Sequence, residues 1–210
     1  MSKRIQEKGI LAKLLEKGIQ LLIKKECKKI GKININIIAS SIQIIKGIIQ
    51  KIYIIAKDIN YKDLLFDQIE LEANDIGLIY KINNKELKFK NNFTIKFKIT
   101  LSENSLKTIL FSNNWNWIGD MISKEILNHA KLEDIEIKNG QILITTSKDI
   151  QTKNEVENVY IKAENGKIFL ENKTYNKSIK IPIEDKVCIK NINIRNNLIN
   201  IFANSSISFD

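Results

Sequence analysis

The strict alternation of apolar and polar residues between positions 93 and 101 constrains the fold of this chain more than any other feature. Its apolar members are Phe93, Ile95, Phe97, Ile99 and Leu101, and the residues between them are threonines and lysines. Side chains of a β-strand point alternately to its two faces, so this period of two predicts a strand with one apolar and one solvated face. A sheet with one solvated face is usually antiparallel.

Similar alternation extends to both sides of this strand. We predict a first strand set over residues 33–101 and a second strand set over residues 132–209. Two pairs, Asn139-Gly140 and Asn165-Gly166, separate alternating runs in the second set. Both central residues of a tight hairpin turn need positive φ, which Asn and Gly adopt at low cost. The two pairs therefore predict two antiparallel hairpins.

Two other segments have the period of 3.6 that is typical of a helix. Residues 1–31 place apolar side chains on one face and lysines on the opposite face, which predicts a basic amphipathic helix. The apolar face carries Leu11, Leu14, Leu15, Ile19, Leu21 and Leu22, and the opposite face carries Lys13, Lys17, Lys24 and Lys28. Residues 102–130 return to helical spacing with a break near Asn113, which predicts a pair of helices.

The order of these segments predicts the fold class. We expect one α+β domain over residues 1–210, in which a single long, curved, mainly antiparallel β-sheet wraps the N-terminal helix and the central helix pair. A chain of 210 residues has the size of one ordinary domain and can bury a core without disulfides or metals.

Positive charge is concentrated at the start of the chain. Residues 1–32 contain ten basic and three acidic side chains, a net of +7 out of +10 for the whole protein. Such a surplus indicates an anionic partner for this segment. A nucleic acid is not expected, because the chain has only two arginines, Arg4 and Arg195. Arginine is the residue that usually forms paired hydrogen bonds with phosphate and guanine.

The side chains that enzymes use for catalysis are scarce. His129 is the single histidine, and no glycine-rich phosphate-binding motif or nucleophile motif occurs, so we expect neither an enzyme nor a cofactor. Carboxylates do cluster between residues 58 and 75, and an acid/base pair there is the enzymatic alternative. Alternation places Glu70 and Glu72 on the solvated side of a strand, so we interpret them as surface charges.

Trp115 and Trp117 flank Asn116 in an uncharged run. Amphipathic aromatic side chains suit a membrane interface or the mouth of an apolar pocket, and they equally suit a core in which one ring covers the other. We predict that one of the two tryptophans lies at a binding surface, and the core interpretation remains its alternative.

The sequence also predicts where the protein lies in the cell. Residues 1–31 lack the features of a signal peptide, and the longest uncharged runs are too short for a transmembrane helix. Cys27 and Cys188 have no metal-ligand spacing and are interpreted as free thiols in a reducing compartment. We therefore expect a cytoplasmic protein, peripheral on the inner face of a membrane.

Four segments together resemble the LmeA-like phospholipid-binding family. Residues 10–15 resemble its opening helix, and residues 41–49, with Gly47, its first strand. Residues 60–71 resemble the strand pair that follows, and residues 101–110 the helix after the middle strands. The resemblance covers residues 8–145 and rests on hydrophobic patterns, so it transfers no site residue.

The resemblance implies a tubular lipid-binding fold, in which a curved sheet encloses a helix and leaves an apolar groove for phospholipid. Some members are exported, whereas this chain shows no signal sequence. The sequence thus predicts a non-enzymatic phospholipid- or membrane-binding protein that docks through Lys13, Lys17, Lys24 and Lys28, with Trp115 or Trp117 at the groove mouth. The alternative is an interaction protein whose basic helix binds an acidic protein.

Overall fold

The computed structural model describes residues 9–81, 86–147 and 155–208. These residues form, in chain order, α1 (Ile10–Glu26), β1 (Lys29–Ile38), α2 (Ser41–Ile45), β2 (Ile48–Tyr61), β3 (Leu64–Lys81), β4 (Glu86–Phe89), β5 (Phe93–Ser102), α3 (Glu103–Leu110), α4 (Asn116–Ile126), β6 (Lys131–Lys138), β7 (Gln141–Ser147), β8 (Glu155–Glu164), β9 (Lys167–Asn172), β10 (Lys177–Ile181), β11 (Val187–Arg195) and β12 (Leu198–Ile207). The predicted α+β class is confirmed.

The strands form two sheets, so the prediction of a single long sheet is wrong. Among the described residues, the first sheet has seven strands in the order β1-β2-β3-β5-β12-β11, with β4 paired to β3. The second sheet has five strands in the order β10-β9-β8-β7-β6. The chain leaves the first sheet after β5, forms α3, α4 and the second sheet, and returns through β11 and β12 to pair beside β5. Alternation predicts strands, but it does not identify their partners.

Antiparallel pairing and both predicted hairpins are confirmed. Asn139 and Gly140 have φ of 53° and 75°, and Asn165 and Gly166 have φ of 48° and 74°. Lys138 pairs with Gln141 across the first turn, and Glu164 pairs with Lys167 across the second. The primed turn geometry that favours Asn-Gly is therefore present at both positions.

The N-terminal helix ends earlier than the sequence predicts. The described part of α1 ends at Glu26, and residues 1–8 of the predicted segment lie outside the described residues. The Lys28 amide donates to the Asn60 carbonyl at 2.8 Å, and β1 starts at Lys29. The first strand thus begins four residues earlier than residue 33, where the sequence predicts it.

Two hydrophobic cores lie on the inner face of the first sheet. The α1 core joins Leu15, Ile19 and Ile23 of α1 to the buried residues Ile35, Ile37, Ile49, Ile54, Ala73 and Ile76. The larger inter-sheet core joins α3 and α4 to both sheets, with Ile109, Ile126, Ile135, Ile144, Val159 and Ile199 among its buried residues. The outer face of the first sheet carries the polar residues of each alternating pair.

Candidate functional site

An apolar cleft lies on the inner face of the first sheet, where the two cores meet. Its volume is about 190 Å³, and its wall is formed by Ile23, Cys27, Ile30, Ile54, Ala56, Ile59, Tyr61, Phe66, Ile69 and Leu71. Ile54 and Leu71 also belong to the α1 core, whereas Phe66 packs against the inter-sheet core. The cleft therefore occupies the seam that neither α1 nor the second sheet fills.

The local sequence explains why this seam is open. Ala56 pairs with Ile33 on one side and with Ile69 on the other, so a single methyl group stands between two isoleucine positions of the inner face. The last turn of α1 contributes Ile23, and Cys27 follows directly as its C-cap. A small residue on the strand and the end of the helix thus leave space between them.

The cleft has the chemistry of a hydrocarbon site. Burial, together with the neighbouring Glu26 carboxylate, raises the pKa of the Cys27 thiol, so this side chain stays neutral at physiological pH. Each buried methylene of a ligand would contribute about 0.8 kcal/mol. The volume of about 190 Å³ is below the roughly 300 Å³ typical of pockets for drug-sized ligands. It therefore suits part of one acyl chain and is too small for a whole phospholipid.

The outward face of α1 is apolar, which the sequence did not predict. The helix packs against the edge strand β1, where Ala12 is buried and the Glu16 carboxylate accepts a hydrogen bond of 2.7 Å from the Ile37 amide. This docking turns Leu14 and Leu21 outward, with 59% and 69% of their surfaces exposed. Both leucines are exposed together with Lys17, so the predicted separation of an apolar face from an opposite lysine face does not hold for them.

The four predicted docking lysines have two different environments. Lys13, Lys17 and Lys24 are exposed on α1. Successive residues of a helix are rotated by about 100°, so Lys17 lies within about 60° of both outward leucines and Lys24 lies about 60° from Leu21. Lys28 instead forms an ion pair of 2.6 Å with Asp63, and it lies outside the helix. Three of these lysines thus flank an exposed apolar stripe, and the fourth holds the turn between β2 and β3.

Trp115 contacts the same turn, and Trp117 lies beside Trp115. Trp115 donates from Nε1 to the Lys62 carbonyl at 2.8 Å, and its ring centroid lies 6.2 Å from that of Trp117. The hydrogen bond from Lys28 lowers the pKa of Asp63, and Asn114 donates to the same carboxylate. Neither tryptophan is part of the cleft wall. Tyr61 is part of that wall, and it directly precedes the turn to which Trp115 is bonded. Trp117 is exposed.

The carboxylates between residues 58 and 75 do not converge in a cleft. Glu70 lies on the outer sheet face, where it accepts hydrogen bonds from Tyr53 and Lys98 at 2.9 and 3.0 Å. The pKa of Glu70 is lowered overall. Burial alone would raise it, but the hydrogen bonds from Lys98 and Tyr53 stabilise the carboxylate by more than burial costs. Asp67 instead accepts from the Ser102 amide at 2.5 Å and helps to start α3. Residues 9–81, 86–147 and 155–208 contain no group of three potential metal ligands.

Sequence reasoning missed two residues of the exposed surface, Ile42 and Ile45. Both lie in α2, a single helical turn in the segment whose pattern resembled a first strand. The spacing of Ser40 and Gln43 was the available signal, because serine followed three residues later by glutamine is typical of a helix start.

Comparison of the chain with family models, with curated proteins and with solved structures finds no match. The similarity to LmeA-like proteins therefore stays a prediction from the sequence. No helix in the described residues is long and apolar enough to cross a membrane.

Proposed function

We propose that this chain is a non-enzymatic protein that binds phospholipid at the surface of an anionic membrane. The observation that carries the proposal is the outward face of α1, where Leu14 and Leu21 are exposed beside Lys17 and Lys24. A helix that places leucines and lysines together on its free face suits the boundary between headgroups and acyl chains. A helix that served only to cover the sheet would turn its leucines inward.

Charge supplies the attraction in this proposal. Residues 9–32 contain seven lysines and two glutamates, and Glu16 is bonded to the backbone of β1. Each lysine near an anionic surface contributes about 1 kcal/mol. Lys13, Lys17, Lys24 and Lys25 together would supply a few kcal/mol, which is enough for reversible recruitment and falls far short of permanent insertion.

The cleft supplies the second part of the proposed function. The cleft opens beneath the end of α1, close to Lys24 and Lys25 of its last turn. In the proposal, one acyl chain of a phospholipid enters the cleft while its headgroup stays at the membrane surface. The inner sheet face then serves as the groove of a tubular lipid-binding fold. Two free, half-buried cysteines support a reducing location, at the inner face of a membrane.

A second candidate function is an interaction protein whose α1 binds an acidic protein partner. The small volume of the cleft favours it, because a packed seam needs no lipid. An acidic amphipathic helix could cover the same leucines and pair with the same lysines. The two candidates differ in whether lipid alone is sufficient for binding.

Vesicle sedimentation tests the proposal. Wild-type protein is mixed with vesicles of neutral phosphatidylcholine, with or without anionic phosphatidylserine, and compared with K13E/K17E/K24E/K25E. Lys28 is left unchanged because it pairs with Asp63. The matched control is K138E/K180E/K186E/K190E, which carries the same charge change on exposed lysines of the second sheet, of the turn before β11 and of β11 itself. Strand β11 is the edge of the first sheet opposite β1.

We expect the α1 variant to lose at least about tenfold in affinity for anionic vesicles and the control to lose much less. Equal losses in both variants would show that net charge alone acts, which contradicts a docking face on α1. No binding of wild-type protein to either vesicle would reject the lipid proposal and favour the acidic protein partner.

A further inference from the structure

The short helix α2 presents isoleucines to solvent on a rigid backbone. Ile42 and Ile45 are exposed over 66% and 76% of their surfaces. A capping box nevertheless fixes the helix, because Ser40 Oγ accepts from the Gln43 amide at 3.2 Å and Gln43 Oε1 accepts from the Ser40 amide at 2.8 Å. An exposed apolar turn with a fixed conformation has the features of a binding element.

The residue that links α2 to the sheet adds to this rigidity. Gly47 has a φ of +70°, and its carbonyl accepts a hydrogen bond of 2.6 Å from the Leu78 amide. A Cβ at this position would collide with the Leu78 carbonyl. The chain can therefore turn from α2 into β2 only with glycine here, and this turn sets where the isoleucines point.

Exposed apolar side chains from neighbouring elements extend the patch. Ile48 pairs with Gly77 of β3, and Ile79 follows two residues later on the same face of that strand. Helix α1 contacts α2, and its N-cap Gly9 lies beside Ser41 of α2. We define the apolar end as the exposed residues of this region: Ile10, Ile42, Ile45, Ile48 and Ile79.

The charges around the apolar end indicate what covers it. Lys13, Lys46 and Lys90 are exposed in the same region, together with the carboxylate of Asp75. A second copy of this chain would bring lysines against lysines, which disfavours self-association through this end. The apolar end is mainly aliphatic, whereas protein interfaces are enriched in tyrosine, tryptophan and arginine. Aliphatic side chains ringed by lysines complement an anionic lipid surface.

We propose that the apolar end enters the hydrocarbon margin of the membrane, with Ile42 and Ile45 as its deepest residues. This inference rests on the proposed function and adds to it the part of the protein that penetrates. The exposed lysines of α1 and of the α2 turn then meet the headgroups. The cleft lies near the other end of α1, so its opening is set back from the inserted residues.

Penetration is tested with paired variants. I42Q/I45Q removes the two most prominent isoleucines and keeps the capping box, since Ser40 and Gln43 are unchanged. The control is F111Q/V156Q, which alters side chains exposed over 50% and 60% of their surfaces, at the C-cap of α3 and in β8. We expect the first pair to weaken binding to phosphatidylserine-containing vesicles by at least about tenfold and the second by much less.

A probe measurement keeps the test independent of variant stability. With both native cysteines replaced by serine, an environment-sensitive fluorophore is attached at I45C or at K190C on the remote edge strand β11. We expect a blue shift and quenching by brominated phospholipid at position 45, with neither at position 190.

Three results would overturn the inference. Penetration is rejected if the protein binds vesicles while the probe at position 45 stays in water, or if I42Q/I45Q binds as tightly as wild type. Either result leaves the docking role of α1 intact. A dimer in solution that I42Q/I45Q abolishes would assign the apolar end to a second copy. Failure of the wild-type protein to bind vesicles rejects the proposed function and this inference together.

Discussion

Replacing two alanines of the inner sheet face by leucine tests whether the cleft is hollow. Ala56 is part of the cleft wall, and Ala73 is buried in the α1 core. Both belong to neighbouring strands of the same sheet and are almost equally buried, at 7% and 8% exposure. The two substitutions are therefore chemically identical and differ mainly in the space available.

The expected free-energy changes have opposite signs. A leucine adds three carbons to alanine, and each carbon buried in an empty apolar site contributes about 0.8 kcal/mol, so A56L gains up to about 2 kcal/mol. An added side chain in a packed core costs about 1–3 kcal/mol, which is the expectation for A73L. In a domain of this size 1 kcal/mol shifts Tm by about 2–4 °C, so the two variants should differ in Tm by about 10 °C.

The measurement is thermal unfolding of the lipid-free protein followed by circular dichroism, with urea midpoints as a check. A56L should also lose binding of a fluorescent single-chain fatty acid by at least about tenfold, because the new side chain occupies the cleft. Equal destabilisation by A56L and A73L would mean that the seam is as tightly packed as the core. The acyl-chain part of the proposed function would then be refuted.

Two further predictions concern stability. The folded-state pKa of Glu70 lies below its usual 4.5, so its carboxylate contributes stability that is complete above pH 4.5 and is lost as pH falls through the lowered value. E70Q should therefore have a shallower decline of urea midpoint below pH 4.5 than wild type, and an unchanged slope would contradict the role of the Lys98 and Tyr53 bonds. G47A should destabilise by at least about 1–3 kcal/mol, because of its positive φ and because the added Cβ would collide with the Leu78 carbonyl. G18A, with open space around its Cβ position, should be neutral or stabilising by up to about 1 kcal/mol in chemical unfolding. Equal effects would show that the turn after α2 is not constrained.

The periodic features of the sequence were sufficient for local structure. Alternation from Phe93 to Leu101 predicted β5, and both Asn-Gly pairs predicted hairpins, because these signals arise from strand pleating and from backbone energetics of single residues. Helical spacing after Ser102 likewise predicted α3 and α4. The short helix α2 escaped this reasoning, since one turn is too brief to establish a period.

The candidate site depended on contacts between distant residues. The lysines Lys13, Lys17 and Lys24 could be named from the sequence, because charge along a helix is a local property. The spacing of a helix already places Lys17 beside Leu14 and Leu21. That this side faces outward could not be predicted, since it depends on the packing of α1 against β1, which includes the bond from the Ile37 amide to Glu16. The engagement of Lys28 by Asp63 likewise joins residues that are 35 positions apart.

The sequence by itself determined the α+β class, the antiparallel hairpins and the basic N-terminal helix, because each follows from the preferences of neighbouring residues. Only the tertiary structure decided that the strands divide into two sheets and that a cleft remains between two cores. Strand partners and unfilled volume depend on how whole elements pack. The same dependence turns the leucines of α1 and the isoleucines of α2 outward.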